Sequence, residues 1–407
     1  MRISGVQPKA GSEPEGNSAA SREENMLRGV KWPAGGVRLA MLALAASLTV
    51  ASSVSAETLT YATDMVPKDP IYDLALKPLF EETKADPELN IGWRLIPGGQ
   101  LLGARETLTG VKAKLADATI VVPSFFRTDL PNINVLFQFI SYGDNIVAGT
   151  GAALEALYLN CPECIADYTA NNTVPLASSS GGQYHLYCSK PVNSVADLKG
   201  RKIRGVGALA RFIDMMGATP LNLPPNEGVT AIQRGTMDCV IGPLAWLIPF
   251  GYVEAAPNVV RFPMGYVKGL GLIVMNQDTW SSLDVSKRKA LLDRMGMATA
   301  RMVIDSNYNV DKELLDKGEA LGLKVTDGDG SFEEVFKRFN EAEIEATIAA
   351  GEQSGALNAR RLVETMISLY PKWEKIAETT GFDVDAVAEA YQREVYGKLD
   401  AASFGVK

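Results

Sequence analysis

The chain has 407 residues, 46% of them hydrophobic and 22% charged, with a formal net charge of −8. An acidic chain with no basic tract is a poor nucleic-acid binder. Its single histidine, His185, leaves too little imidazole for a Ser-His-Asp hydrolase or a multi-histidine metal site. The sequence contains neither a G-x-x-x-x-G-K-[ST] nor a G-x-G-x-x-G pattern, so no nucleotide cofactor is suggested, and no cofactor of any kind is expected. The length allows two domains with real cores.

Residues 1–25 are polar and aperiodic. From Met26, the basic residues Arg28, Lys31 and Arg38 precede an apolar run, Leu39–Val50, and Val54-Ser55-Ala56 offers small residues at a cleavage site. This is the pattern of a secretory signal peptide cleaved near Ala56, which places the mature protein in the periplasm. The run is short for a span of about 20 residues, which argues against a membrane anchor. Export makes the four cysteines legible, because an oxidising compartment favours disulfides. Cys161, Cys164, Cys188 and Cys239 permit three pairings. The preferred one is Cys161–Cys164 with Cys188–Cys239, the latter joining two strands of one domain. C-P-E-C (161–164) also resembles a redox or metal motif, but a single C-x-x-C without a second ligand pair is weak evidence for zinc, and no metal is expected.

In chain order, Thr58–Thr63 alternates as a strand and Asp64–Asp69 is a loop. Ile71–Lys84 is helical, with Pro78 predicting a kink or a late start. Strand Ile91–Ile96 runs into P-G-G-Q-L-L-G (97–103), then a helix over Glu106–Leu115 and strand Ala118–Val122. These units predict an α/β domain with a mostly parallel sheet, whose ligands bind beyond the carboxyl ends of the strands. That points to Asp64 and Met65, and to Ser124, Phe125 and Phe126. After the helical segment Ala152–Leu159, strands Val174–Ala177 and Gln183–Cys188 flank S-S-S-G-G (178–182), read as a crossing between domains that would allow hinge rotation.

The stretch V-A-D-L-K-G-R-K-I-R-G-V-G (195–207) predicts a turn at Gly200 and a strand Lys202–Val206 that contains Arg204, with Gly205 and Gly207 leaving room for another molecule near the backbone. A helix over Leu209–Met216 ends at Gly217. Strand Pro220–Leu223, a helix from Asn226 to Arg234 closed by Gly235, and strand Met237–Gly242 follow. Leu270–Asn276 returns as a strand, and Ser281–Asn307 and Asp311–Leu321 read as helical. Ser331 and Glu334 form a capping box ahead of an apolar helical face of Phe332, Val335, Phe336 and Phe339, read as core packing. Beyond Arg360, helices run through Leu362–Tyr370 and Val384–Tyr396, with no assignable task.

The segments D-L-K-G-R-K-I-R (197–204), G-A-T-P (217–220), A-I-Q-R-G (231–235) and M-D-C (237–239) resemble, in order and spacing, the periplasmic solute receptors of tripartite ATP-independent (TRAP) transporters, the dicarboxylate-binding-protein family. P-G-G-Q at 97–100 resembles a turn of the same family, and the resemblance spans about residues 57 to 350. It implies a two-domain periplasmic-binding-protein-like fold with a hinge and a helical C-terminal extension. The corresponding division is residues 57–181 plus about 268–310 in the first domain, 182–267 plus about 311–370 in the second, and 371–407 in the extension.

The resemblance implies that Arg204 holds a ligand carboxylate through two parallel hydrogen bonds, since a planar guanidinium matches a planar carboxylate. Other family positions are altered. A second arginine after the crossing is replaced by Tyr184, the asparagine of the family's "E-N-P" falls at Gly242, and a polar group falls near Pro123–Ser124. Trp246, Phe125 and Phe126 add apolar surface. A micromolar ligand needs about 8 kcal/mol. Charge-assisted hydrogen bonds contribute about 1.5–3 kcal/mol each, and burying ~150 Å² of apolar surface adds about 4 kcal/mol. The expected ligand therefore has one anionic head and a less polar, ring-bearing body rather than being a small dicarboxylate. The implied role is a receptor that performs no chemistry and delivers an organic acid to small and large membrane subunits. The rival readings are a periplasmic enzyme or redox protein using C-P-E-C, and the binding module of a sensory system.

Overall fold

The structure, a computed structural model, describes residues 57–407. The signal-peptide reading of Met26, Leu39–Val50 and the Ala56 cleavage site lies outside them. No helix among the described residues is long and apolar enough to cross a membrane.

Two sheets organise the chain. The first contains β1 (Glu57–Ala62), β2 (Ile91–Ile96), β3 (Ala118–Val121), β4 (Thr173–Ser179) and, from much later in the sequence, β10 (Leu270–Asn276), in the order β2-β1-β3-β10-β4. The second contains β5 (Tyr184–Cys188), β6 (Lys202–Arg204), β7 (Thr219–Leu221), β8 (Cys239–Pro243), β9 (Asn258–Val260) and β11 (Lys324–Thr326), in the order β11-β9-β5-β8-β6-β7. Each sheet is parallel except for one strand. β10 runs antiparallel to both its neighbours, and so does β5. These are the strands that follow the first two of the three crossings between the sheets, β4 to β5 and β9 to β10; the third, β10 to β11, runs through helices. The first two crossings touch, with Gly181 N–H donating to the Val267 carbonyl at 3.1 Å. A Cβ at Gly182 would lie 2.8 Å from both Pro243 and Asn307, so S-S-S-G-G ends in glycines where two peptide segments pass close together.

Both disulfides take the preferred pairing, Cys161–Cys164 and Cys188–Cys239. Cys188 and Cys239 are register partners on β5 and β8, and all four sulfurs belong to buried residues. Pro78 neither delays the helix, which already runs at residues 70–71, nor ends it. A π-turn at Tyr72–Leu76 precedes a regular helix, Lys77–Ala85, because proline offers no N–H to the carbonyl four residues back. The long helix expected over Ser281–Asn307 is three helices, Gln277–Ser282, Val285–Leu292 and Met295–Val303. Asp284 caps the second through the Lys287 N–H.

The capping box at Ser331 and Glu334 does not form. Gly330, at φ +83°, is the N-cap of helix Ser331–Gln353. That left-handed residue turns the chain one position early, so Ser331 is already helical. Its hydroxyl donates to Asp329 and accepts from the Val195 N–H instead. The aromatic stripe that follows is core, as expected. Phe336 and Phe339 pack on Phe212 at ring-centroid distances of 5.5 and 5.2 Å.

The C-terminal helices form a back layer on the first sheet's side. Helix Ala359–Thr380 lies along helix Ile146–Asn160, where a Cβ at Gly151 would sit 2.1 Å from the Trp373 ring. Trp373 Nε1 donates to Glu155 at 2.7 Å. Helix Val384–Glu394 packs on Met295–Val303. Tyr391 donates to the Val147 carbonyl and Tyr396 to that of Ser178.

Candidate functional site

In an open parallel sheet, ligands gather beyond the carboxyl ends of the strands. Here those ends from both sheets meet around one cleft. β1 leads to Asp64 and Met65, β3 to Val122 and Phe125, β6 to Arg204 and Val206, and β8 to Pro243 and Trp246. The two antiparallel strands present their starts to the same place, Tyr184 on β5 and Leu270 on β10. Gly181, Gly182 and Val267 of the crossings, with Phe137, Pro225, Met302 and Asn307, complete the lining. The free space at its centre is about 60 Å³, room for a compact solute.

Arg204 is 2% exposed. Its Nε donates to the Leu223 carbonyl at 2.9 Å and one Nη1 hydrogen to that of Ile241 at 3.4 Å. Its Cζ lies 5.0 Å from the Trp246 ring centre. Among the described residues no acid pairs with it and its Nη2 makes no hydrogen bond. Backbone oxygens thus hold Nε and Nη1 and leave Nη2 unbonded in a cleft-lining residue; a guanidinium with free Nη hydrogens can take a carboxylate bidentately. Beside it, burial pushes the Tyr184 hydroxyl up to about 12, offset in part by the Arg204 charge, so Tyr184 remains a neutral phenol. At the mouth, Arg105 lies over the Phe125 ring at 4.8 Å and donates to the Asn222 carbonyl at 3.4 Å.

Of the sequence-derived positions, Arg204, Tyr184, Trp246, Phe125 and Met65 line this cleft. Gly242 and Ser124 are not among its lining residues. Gly242 is the register partner of His185, while Tyr184 pairs with Pro243; by strand alternation Gly242 shares the face of Val240, the register partner of Arg204, and lies under the Trp246 ring, which a Cβ there would meet at 2.6 Å. Ser124 is buried with an unpartnered hydroxyl. Phe126, 4% exposed, belongs to the core behind Phe125. Gly205 does not leave a ligand space, since a Cβ there would lie 2.5 Å from Ile213 and 2.9 Å from Leu209; the glycine lets β6 approach helix Ala208–Met215. Gly207, at φ +60°, makes the turn into that helix. Phe137, Met302 and Asn307 escaped sequence reading because they sit on helices or a helix end with no local signature.

A larger crevice, about 410 Å³, opens on the His185 face of β5 and is lined also by Arg261, Lys312 and Asp316. Its cations are already matched, Arg261 with Asp327 at 2.6 Å and Lys312 with Asp316 at 3.0 Å. His185 is buried, its Nδ1 donates to the Arg261 carbonyl, and burial pushes its ring down to about 4. It is a neutral structural histidine.

Two sheets joined by paired crossings, with a cleft at their strand ends and an unpaired buried cation in it, define a two-domain α/β solute-binding protein. The chain matches the family described as bacterial extracellular solute-binding protein, family 7, over residues 62–346, and belongs to it. It is 26% identical over 167 residues to the ectoine-binding periplasmic protein TeaA of Halomonas elongata, a match covering 40% of this chain and 46% of that protein. It therefore spans about half the length of the first curated relatives it matches. Among solved structures, a TRAP solute-binding protein from Rhodoferax ferrireducens with copurified benzoate superposes with a TM-score of 0.68 at 21% identity, covering 79% of this chain and 99% of that one. A marine-metagenome TRAP protein specific for aromatic acids gives 0.69 at 19%, covering 78% and 99%. At these identities the likeness is one of fold.

Proposed function

We propose that the protein is an exported solute receptor of a TRAP-type importer, which binds an organic acid between its two sheets and hands it to small and large membrane subunits. The observation that carries this is Arg204, a buried guanidinium lining the cleft whose hydrogen bonds go only to carbonyls and whose Nη2 is unbonded. Burying such a charge without a partner is costly, and a ligand carboxylate repairs the cost with two charge-assisted hydrogen bonds. The remaining walls, Phe125, Phe137, Trp246, Val267 and Met302, suit a small ring rather than a second carboxylate. The lobes are residues 57–181 with about 268–310, and 182–267 with about 311–358. They close about the paired crossings at 180–182 and 264–268, and the helices from Ala359 onward, which the sequence reading divided at 370, brace the first. The leader ending near Ala56 directs the chain to the periplasm. Isothermal titration calorimetry against benzoate, phenylacetate, mandelate and succinate tests this. Micromolar binding of at least one ring monocarboxylate, with succinate at least tenfold weaker, is expected; tight succinate binding without any ring-acid binding overturns the proposed ligand class.

A further inference from the structure

The same cleft contains a second ionisable group, on the opposite sheet. Asp64 follows β1, is 7% exposed and lines the cavity. Among the described residues, no other residue donates a hydrogen bond to its carboxylate. Asp69, the other buried acid of this loop, differs in that its Oδ1 accepts the Ile71 N–H at 3.1 Å. Asp64 also forms no ion pair with Arg204, although both line one cavity.

The backbone around Asp64 is fixed. Thr63 N–H donates to the Ile96 carbonyl at 3.0 Å, and the Thr63 and Met65 carbonyls accept from Gly99 at 3.0 Å and Gly98 at 2.8 Å. The Tyr72 hydroxyl closes on the Met65 carbonyl as well. The P-G-G turn thus serves to clamp the two residues flanking Asp64, and both glycines adopt φ +71° to do so. Burial pushes the Asp64 carboxyl up to about 6, and Arg204 is not among the groups that offset this, in keeping with two separate poles. At neutral pH the group is still mostly an anion. A buried, clamped carboxylate whose only donor is its own N–H needs an explanation, and an incoming donor supplies one.

Building on the receptor reading above, we infer that Asp64 is a specificity-determining residue that selects solutes carrying, besides the carboxylate held by Arg204, a hydrogen-bond donor (hydroxyl or ammonium) at the far end of an apolar body. The ring lies against Phe125, Phe137 and Trp246 with its two polar ends divided between the sheets. Such a ligand bridges the cleft, whereas a plain aromatic acid engages one wall only.

The test is calorimetry on the purified protein with benzoate and toluate as parents, set against their ortho, meta and para hydroxybenzoate and aminomethylbenzoate counterparts. At least one donor-bearing isomer is expected to bind about tenfold or more tightly than its parent, the range of one hydrogen bond to a charged group. Asp64→Ala is expected to remove that gain, so that donor-bearing isomer and parent, both measured on the variant, differ by no more than about twofold. Asp64→Asn, close in shape and able to accept, is expected to keep a hydroxyl gain and lose an ammonium gain. The inference is overturned if no isomer outperforms its parent on the unaltered protein, or if the gain persists in Asp64→Ala. If neither parents nor counterparts bind the unaltered protein, the receptor reading fails and this inference falls with it. The comparison on the unaltered protein stands even if a variant misfolds.

Discussion

Arg204 and Lys268 are both sunk in this molecule, and their surroundings differ in one respect. Lys268 is fully buried and spends its ammonium on the carbonyls of Phe139 at 2.9 Å, Ile140 at 3.3 Å and Tyr266 at 3.5 Å, with the Tyr266 ring 4.0 Å away. Arg204 is also held by carbonyls, but lines a cavity and keeps its Nη2 unbonded. Lys268 closes the end of helix Pro131–Gln138 and ties the second crossing to it, a favourable place for a positive charge. Burial of a cation therefore does not mark a site; donors left over beside a cavity do.

Breaking the Arg204 side of this comparison should have the largest effect on ligand binding. Arg204→Lys replaces a planar fork with a point donor, and losing a bidentate contact in a desolvated site should weaken acid binding by about 100-fold. Calorimetry reads this directly, and unchanged affinity would remove Arg204 from the site. Next come the disulfides. Cys188–Cys239 closes a separation of 51 residues and Cys161–Cys164 one of 3. On loop entropy the first contributes about 4 kcal/mol and the second about 2 kcal/mol. Urea denaturation of Cys188→Ser/Cys239→Ser and Cys161→Ser/Cys164→Ser should give losses in that order, and a reversed order would mean native contacts outweigh loop closure.

The smallest effect lies on the Lys268 side. Burial pushes its amine down to about 7, against an ordinary value near 10.4. Between these values the unfolded chain binds the extra proton, so this group makes stability rise with pH from about 7 upward, by at most about 1.4 kcal/mol per pH unit. Lys268→Met keeps the bulk and should remove that rise between pH 7 and 9 in paired denaturation curves, while leaving acid binding intact. Loss of binding in this variant would blur the distinction between the two cations.

Much of this was legible in the chain. β2 and β10 begin and end where alternation and punctuation place them. Gly217, at φ +73°, stops its helix as expected. Arg204 was legible because a charged residue inside a short apolar strand between glycines needs somewhere to point. What failed was the phase and depth of neighbours. Phe126 lies one residue behind Phe125, Ser124 is buried beside it, and Gly205 serves helix packing. Each of these depends on which side of a strand or turn faces the other sheet, a fact of tertiary pairing absent from local pattern. Asn307 and Met302 reach the cleft from helices belonging to the far end of the sequence, beyond any motif.

The Cys188–Cys239 bridge sits at one end of the β5–β8 ladder, and Tyr184 and Pro243 at the other. A slip of one position along that ladder would exchange Tyr184 for His185 in the cleft wall. The bridge adds a covalent bar to that slip: a newly made, reduced chain holds the order of its cleft wall by ladder hydrogen bonds and burial alone, and gains this further lock only where its sulfurs can join.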